Sequence, residues 1–216
     1  MARRAEKKQA IRDRLIAVAA EKFCDQGYDR TTVDDIARAS GISQRTFFRY
    51  FPTKLDVAFP NAEESTRLLR ENLDKCRDPA SPLRAVINGL LGYSRWYVGQ
   101  KDQLLREMAY VSTSASLLAL EAEVDRSNEE LIAKSLEAGA VPGKAARMLA
   151  GIIYGGVRAT LKEWFSNGCV EDLINVGDDL VAVLSDLDPI VARLMTRSEV
   201  NHQGAGRPRD VPEGTS

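Results

Sequence analysis

Between Ser43 and Lys54 the chain reads Ser-Gln-Arg-Thr-Phe-Phe-Arg-Tyr-Phe-Pro-Thr-Lys. If this run is helical, Phe47 and Phe51 lie four apart and share a buried face, while Gln44, Arg45, Phe48 and Arg49 point largely the other way. Those are side chains that read nucleic-acid bases. Gln pairs with adenine and Arg with guanine, each discriminating by about 1–3 kcal/mol, and an aromatic ring such as Phe48 packs against a thymine methyl. Tyr50 and Lys54 supply donors to phosphate, as do Thr32 and the backbone amides of the segment it opens. The competing assignment places Phe47, Phe48, Tyr50 and Phe51 together in the core of a helical bundle. It suits Phe47 and Phe51 and fits Phe48 and Tyr50 poorly, because four aromatics within little more than one helical turn point to different sides and cannot all face one small core.

Such a reading segment must be held by neighbours, and the sequence supplies them as short helices. Ile16, Ala19, Ala20 and Phe23 follow helical spacing and predict a first helix from about Lys7 to Gln26, closed by Gly27. Thr32 caps a second helix, with Asp35 three residues on as an imperfect capping box. Gly41 breaks that helix and Ile42 plugs the turn. Ser43 caps a third helix, Gln44 to about Phe51, which Pro52 ends. Thr53 caps a fourth beginning at Lys54. Two short helices joined by a tight glycine turn form a helix-turn-helix pattern.

Longer helical stretches follow at about 62–76, 83–98, 101–111, 115–138, 144–166 and 171–187, with a short one expected at 190–199. Pro79 and Pro82, Gly139 to Gly143, Asn167-Gly168 and Pro189 mark the breaks. Strand signals are nearly absent, so the expected fold is all-α. A three-helix helix-turn-helix domain at 1–54 precedes a helical domain at 55–200, and the Gly- and Pro-rich 201–216 reads as a disordered tail.

Bulk composition narrows the function. The net charge of −1 conceals a split. Residues 1–54 carry twelve Lys and Arg against seven Asp and Glu, a net +5, and the remainder carries −6. The basic portion is the part suited to a polyanion. Arg3, Arg4, Lys7 and Lys8 form either an arm toward phosphates or the minor groove, or a plain solvated tail. Cys24, Cys76 and Cys169 are scattered, with no Cys-x-x-Cys pair, and the single histidine is His202. No metal site, cofactor or catalytic nucleophile–base pair is expected from this set. The cysteine usage and the lack of an export signal or a long apolar run point to a cytoplasmic, non-membrane protein that is not an enzyme.

Taken together, Ile16-x-x-Ala19-Ala20-x-x-Phe23-x-x-x-Gly27-Tyr28, Thr31-Thr32-Val33-x-x-Ile36-Ala37, Ser40-Gly41-Ile42-Ser43 and Thr46-Phe47-Phe48-Arg49-Tyr50-Phe51-Pro52-Thr53-Lys54 resemble the N-terminal domain of the TetR family of repressors. The resemblance covers about residues 10–58. It implies a bacterial repressor, nucleoid-associated when bound, that holds a palindromic double-stranded operator as a homodimer. A small molecule entering the C-terminal domain would release it. By position, the resemblance makes Thr32, Ser43, Gln44, Arg45, Thr46, Phe48, Tyr50 and Lys54 the DNA-contacting set. Two positions depart from the usual pattern: many members have a small residue where Arg45 stands and Tyr where Phe48 stands. An activator of the same family, or a helical adaptor that binds no DNA, are the alternative readings.

The C-terminal region matches only in helical organisation. Leu173, Val176, Leu180, Leu184 and Leu187 form a stripe near heptad spacing, and Gly151 and Gly155 lie one turn apart beside Met148, Ile152 and Leu161. These stripes serve packing within the chain or between copies; the resemblance favours a four-helix bundle between copies. Tyr93, Trp96, Tyr97, Met108, Tyr110 and Trp164 are large, adaptable side chains that fill a core or line a ligand cavity. The resemblance implies an apolar or amphipathic effector, with a fatty acyl thioester as one candidate.

Overall fold

A computed structural model describes residues 2–204, with side chains described for 3–196. Of the expected tail, 205–216 lie outside the described residues. The described residues hold twelve helices and no strand: α1 (Ala2–Gln26), α2 (Val33–Ala39), α3 (Gln44–Phe48), α4 (Lys54–Ala58), α5 (Ala62–Lys75), α6 (Pro82–Gly99), α7 (Lys101–Val111), α8 (Ala115–Ala138), α9 (Gly143–Ser166), α10 (Leu173–Val176), α11 (Asp178–Ser185) and α12 (Asp188–Gly204). None of them is long and apolar enough to cross a membrane.

The chain forms two compact units. The first comprises the residues up to Arg70 together with Tyr93–Asn128. Its core is built on the stripe read from the sequence: Ile16, Ala19, Ala20 and Phe23 are buried, with Leu15 beside them. Against these pack Ile36 and Ala37 of α2, Phe47 of α3, Val57 and Ala58 of α4, and Tyr110 and Val111 of α7. Helix α1 starts earlier than expected, so Arg3, Arg4, Lys7 and Lys8 lie exposed on its first turns.

Local chemistry explains the short helices. Gly27 closes α1 with φ +84°, a left-handed conformation that costs a residue with a Cβ more than it costs glycine. Thr32 and Asp35 form a complete capping box on α2. Its other end is a Schellman turn: Gly41, at φ +68°, donates to Arg38 O, and Ile42 donates to Ala37 O. Thr53 and Asp56 form a second complete capping box on α4.

The second unit comprises Glu71–Gly92 and the residues from Glu129 onward. Within it α5 and α6 approach backbone to side-chain-free backbone. A Cβ at Gly89 would stand 3.0 Å from Leu73 Cα and 3.2 Å from its N. After α8 the left-handed residue is Ala140 (φ +65°) and not the neighbouring glycine. Gly139 serves packing instead, since a Cβ there would run into Pro82.

The single helix expected at 171–187 is two. Gly177 separates α10 from α11 and donates to both Leu173 O and Ile174 O at 3.0 Å. Helix α9 packs against both, and Leu180 fills the space left by Gly156, where a Cβ would collide with it.

Candidate nucleic-acid interface

Helix α3 has only five residues and cannot stand alone, because nucleation costs more than so few backbone bonds return. It is fixed from beneath and from its ends. Phe47 and Phe51 are fully buried, their ring centroids 5.9 Å apart. Ser43 caps the helix by accepting from the Thr46 amide at 3.2 Å, and its hydroxyl lies 3.0 Å from that of Thr46.

The opposite face is the one expected to read bases. Gln44, Arg45, Phe48 and Arg49 are exposed, as is Ser43. Phe48 leaves 49% of its surface open despite its apolar ring, and it stands edge-on to Phe47 at 5.5 Å. Thr46 and Tyr50 are half-buried, and the Arg49 guanidinium sits 5.6 Å from the Tyr50 ring centroid. The side chains named from the sequence for base contact thus lie together on one solvent-facing surface. Asp34 of α2 joins them: its Oδ1 accepts from Gln44 Nε2 at 3.1 Å, and its other oxygen is paired with Arg38.

Thr32 and Lys54, also of the expected set, are likewise bonded within the chain. The Thr32 hydroxyl donates to Asp35 at 2.6 Å while accepting from the Asp35 amide. Hydrogen bonds from the Thr32 side chain and backbone hold the Asp35 carboxyl below the usual carboxylate range. Lys54, expected to donate to phosphate, uses two of its three N–H donors within the chain. Its ammonium donates to Tyr28 O at 2.8 Å and Thr31 O at 2.9 Å, and lies 4.0 Å from the Tyr28 ring centroid. Burial lowers its pKa, against an opposing pull from Asp29. Lys54 therefore ties the start of α4 to the loop between α1 and α2.

The residues expected to line a ligand cavity do not come together as a set. Tyr93, Trp96 and Tyr97 do, with Tyr93 5.8 Å from each of the other two rings. The Tyr93 hydroxyl is bonded to Ser65, and burial raises its pKa. Met108 is 44% exposed. Tyr110 is a core residue, 5.2 Å from the Phe23 ring, and its hydroxyl donates to Ala58 O at 2.5 Å. Trp164 lies in the second unit, buried, with its indole N–H donated to Glu171 O at 2.9 Å. A cleft of about 420 Å³ in the first unit is lined instead by Thr66, Glu123, Val124, Arg126 and Ser127.

The stripes expected at an interface between copies divide as well. Leu173 and Leu184 are buried in the second unit and Leu180 is half-buried over Gly156, so these three pack within the chain. Gly151 is half-buried beside Glu129. Met148 and Ile152 are 62% and 55% exposed, and Gly155 is exposed one turn on.

Sequence reasoning missed Asp34, Asp56 and Glu107. The Thr53-x-x-Asp56 spacing was a usable capping signal. Glu107 carried none. Desolvation by burial pushes its pKa up to about 7, against a Gln103 hydrogen bond of 3.0 Å and the nearby Arg106 charge.

Comparison with known proteins agrees with this geometry. Residues 15–59 match the family described as bacterial regulatory proteins, tetR family. The chain is 49% identical over 55 residues to the HTH-type transcriptional regulator TcmR of Streptomyces glaucescens, a match covering 26% of this chain and 24% of TcmR. It is 33% identical over 122 residues to the Mycobacterium tuberculosis transcriptional regulator MftR, covering 54% of this chain and 59% of MftR. The chain thus spans about a quarter and about three-fifths of these two curated relatives. Among solved structures, the transcriptional regulator FadR of Bacillus subtilis, in complex with stearoyl-CoA, shares the fold with a TM-score of 0.58 at 18% identity, over 79% of this chain and 96% of FadR.

Proposed function

We propose that this chain, whose residues 15–59 match the family described as bacterial regulatory proteins, tetR family, is a ligand-released transcriptional repressor of that kind that binds a palindromic operator as a homodimer. The observation that carries this reading is the two-sidedness of α3. Phe47 and Phe51 anchor it in the core, and Gln44, Arg45, Phe48 and Arg49 are exposed to solvent. A solvated helix has no need to expose an aromatic ring between two arginines, whereas a helix seated in the major groove uses all four.

Residues 1–54 act as the reading head, and residues 55–200 as the effector and dimerisation region. One head reads only a few base pairs, too few to single out a site in a genome. Two heads about 34 Å apart on an inverted repeat solve this. The exposed Met148, Ile152 and Gly155 of α9, with Val183 of α11, form the apolar surface offered to the second copy. The effector is an apolar or amphipathic small molecule, and FadR with its stearoyl-CoA supports an acyl thioester as the class to test. Release follows if the effector binds the DNA-incompetent spacing of the heads better than the competent one. A tenfold loss of DNA affinity requires about 1.4 kcal/mol of such preference. The protein acts in the bacterial cytoplasm, on the nucleoid while bound.

The test is selection of bound duplexes from a random pool with the purified protein. An inverted repeat is expected, and Arg45→Ala should relax the preference at one position in each half-site. Indifference of the wild-type protein to every duplex would refute the proposal.

A further inference from the structure

Gln44 opens the helix that faces the groove, and a glutamine on a protein surface carries an ambiguity. Its amide can turn by half a rotation and present either a carbonyl acceptor or an N–H donor. Presented one way, the carbonyl accepts from adenine N6 while an N–H reaches N7; presented the other, the NH₂ group donates to guanine O6 and N7. A free glutamine is therefore a poor judge between the two purines.

In this chain the ambiguity is removed by a neighbour on another helix. Asp34 lies on α2, and its Oδ1 accepts a hydrogen bond from Gln44 Nε2 at 3.1 Å. A carboxylate accepts and does not donate, so it holds only the NH₂ end of the amide. Asp34 is in turn held by Arg38, one turn further along α2, through an ion pair with its other oxygen. The three groups form one chain of contacts, Arg38 to Asp34 to Gln44, running from the first helix of the helix-turn-helix to the second.

From this geometry we infer that Asp34 is a specificity-determining positioning residue, which locks the Gln44 amide with its carbonyl oxygen outward and so selects adenine over guanine at one position of each half-site. The locked amide keeps Oε1 and one N–H for the base. Adenine matches both. Guanine would set its O6 against Oε1, two acceptors facing each other, and thymine O4 would do the same. Cytosine N4 can donate to Oε1 but offers nothing to the remaining N–H. Asp34 need not touch DNA to do this. The inference rests on the proposal that α3 lies in the major groove.

The experiment uses the full chain and the duplex selected from the random pool. Gln44→Ala first identifies the position that this residue reads. Wild type, Asp34→Ala, Gln44→Ala and the double variant are then compared on that duplex and on its adenine-to-guanine derivative, with a non-specific duplex as control. The wild-type preference for adenine should fall about tenfold in Asp34→Ala, the middle of the range for one bidentate contact. Preferences at the other positions should hold. Adding Asp34→Ala to Gln44→Ala should change the preference no further, because the effect passes through the amide. Removing a negative charge alone would strengthen binding to all three duplexes alike and leave the preference intact, and that result overturns the inference. So does a wild-type preference for guanine or thymine at the Gln44 position. A wild-type protein that selects no sequence overturns the proposed function itself, a different and recognisable failure.

Discussion

Glu107→Gln should abolish a pH dependence of stability that the wild-type protein carries between about pH 4.5 and 7. Glu107 lies on α7, within the unit that holds the reading helices, one turn before the Tyr110 that bonds to Ala58. Burial raises its carboxyl to about 7 from 4.5. Below about pH 4.5 the group is protonated in both folded and unfolded chains and costs nothing. As pH rises toward 7 the unfolded chain releases this proton while the folded chain keeps it, so folding loses about 1.4 kcal/mol for each pH unit. Above 7 the loss levels off at about 3 kcal/mol in full. Glutamine cannot ionise and keeps a hydrogen-bonding partner for Gln103, so the variant escapes the penalty at every pH. Urea unfolding at fixed protein concentration, followed by circular dichroism at about pH 5, 6, 7 and 8, checks this. The two proteins should differ little at pH 5, and the variant should lead by about 2–3 kcal/mol at pH 8. Taking the difference cancels every group common to both, and the chain holds only one histidine to confuse the interval. Parallel curves across the range would refute the reasoning, because they require Glu107 to ionise as it does in water.

Lys54→Met should destabilise the chain by about 1–2 kcal/mol through loss of the two carbonyl bonds, while leaving the salt dependence of DNA binding unchanged. A salt slope reduced by about 1 per half-site at unaltered stability would make Lys54 a phosphate contact instead. Ile152→Asp should convert the proposed dimer to monomers by light scattering and weaken operator binding by at least about tenfold, since that side chain is exposed on α9; an intact dimer would place the interface elsewhere. Ala140→Gly should raise stability by about 0.5–1 kcal/mol by relieving the positive φ after α8, and a loss in urea midpoint would count against strain there.

Most of the helix order was legible because its punctuation is local. Gly27, Gly41 and Asn167-Gly168 each act within a turn of themselves, and the helices end where they stand, whereas the helix expected to run on to Pro52 ends earlier, at Phe48. The two-sidedness of α3 was legible for the same reason. Phe47 and Phe48 are neighbours on α3, and helical periodicity sorts the buried ring from the exposed one; Phe51, just past the helix, is buried as that periodicity anticipates. Where a helix was misjudged, at 171–187, the pattern of leucines runs unbroken through Gly177. The break falls at Gly177, whose amide is shared between the Leu173 and Ile174 carbonyls as α10 gives way to α11.

The features left unread all need a partner distant in sequence. The stripe at Leu173, Leu180 and Leu184 says that a face is apolar but not what covers it; α9, with its gap at Gly156, supplies the cover. Lys54 has the type and place of a phosphate donor, and its ammonium is taken by carbonyls 23 and 26 residues away. Asp34 and Gln44 stand ten residues apart on different helices, and their contact exists only because the Schellman turn at Gly41 sets α2 against α3. Spacing along the chain therefore identifies which side chains of α3 face solvent, as base contact would require. Which of them remain free for that contact, and with which atom outward, is decided by contacts between helices.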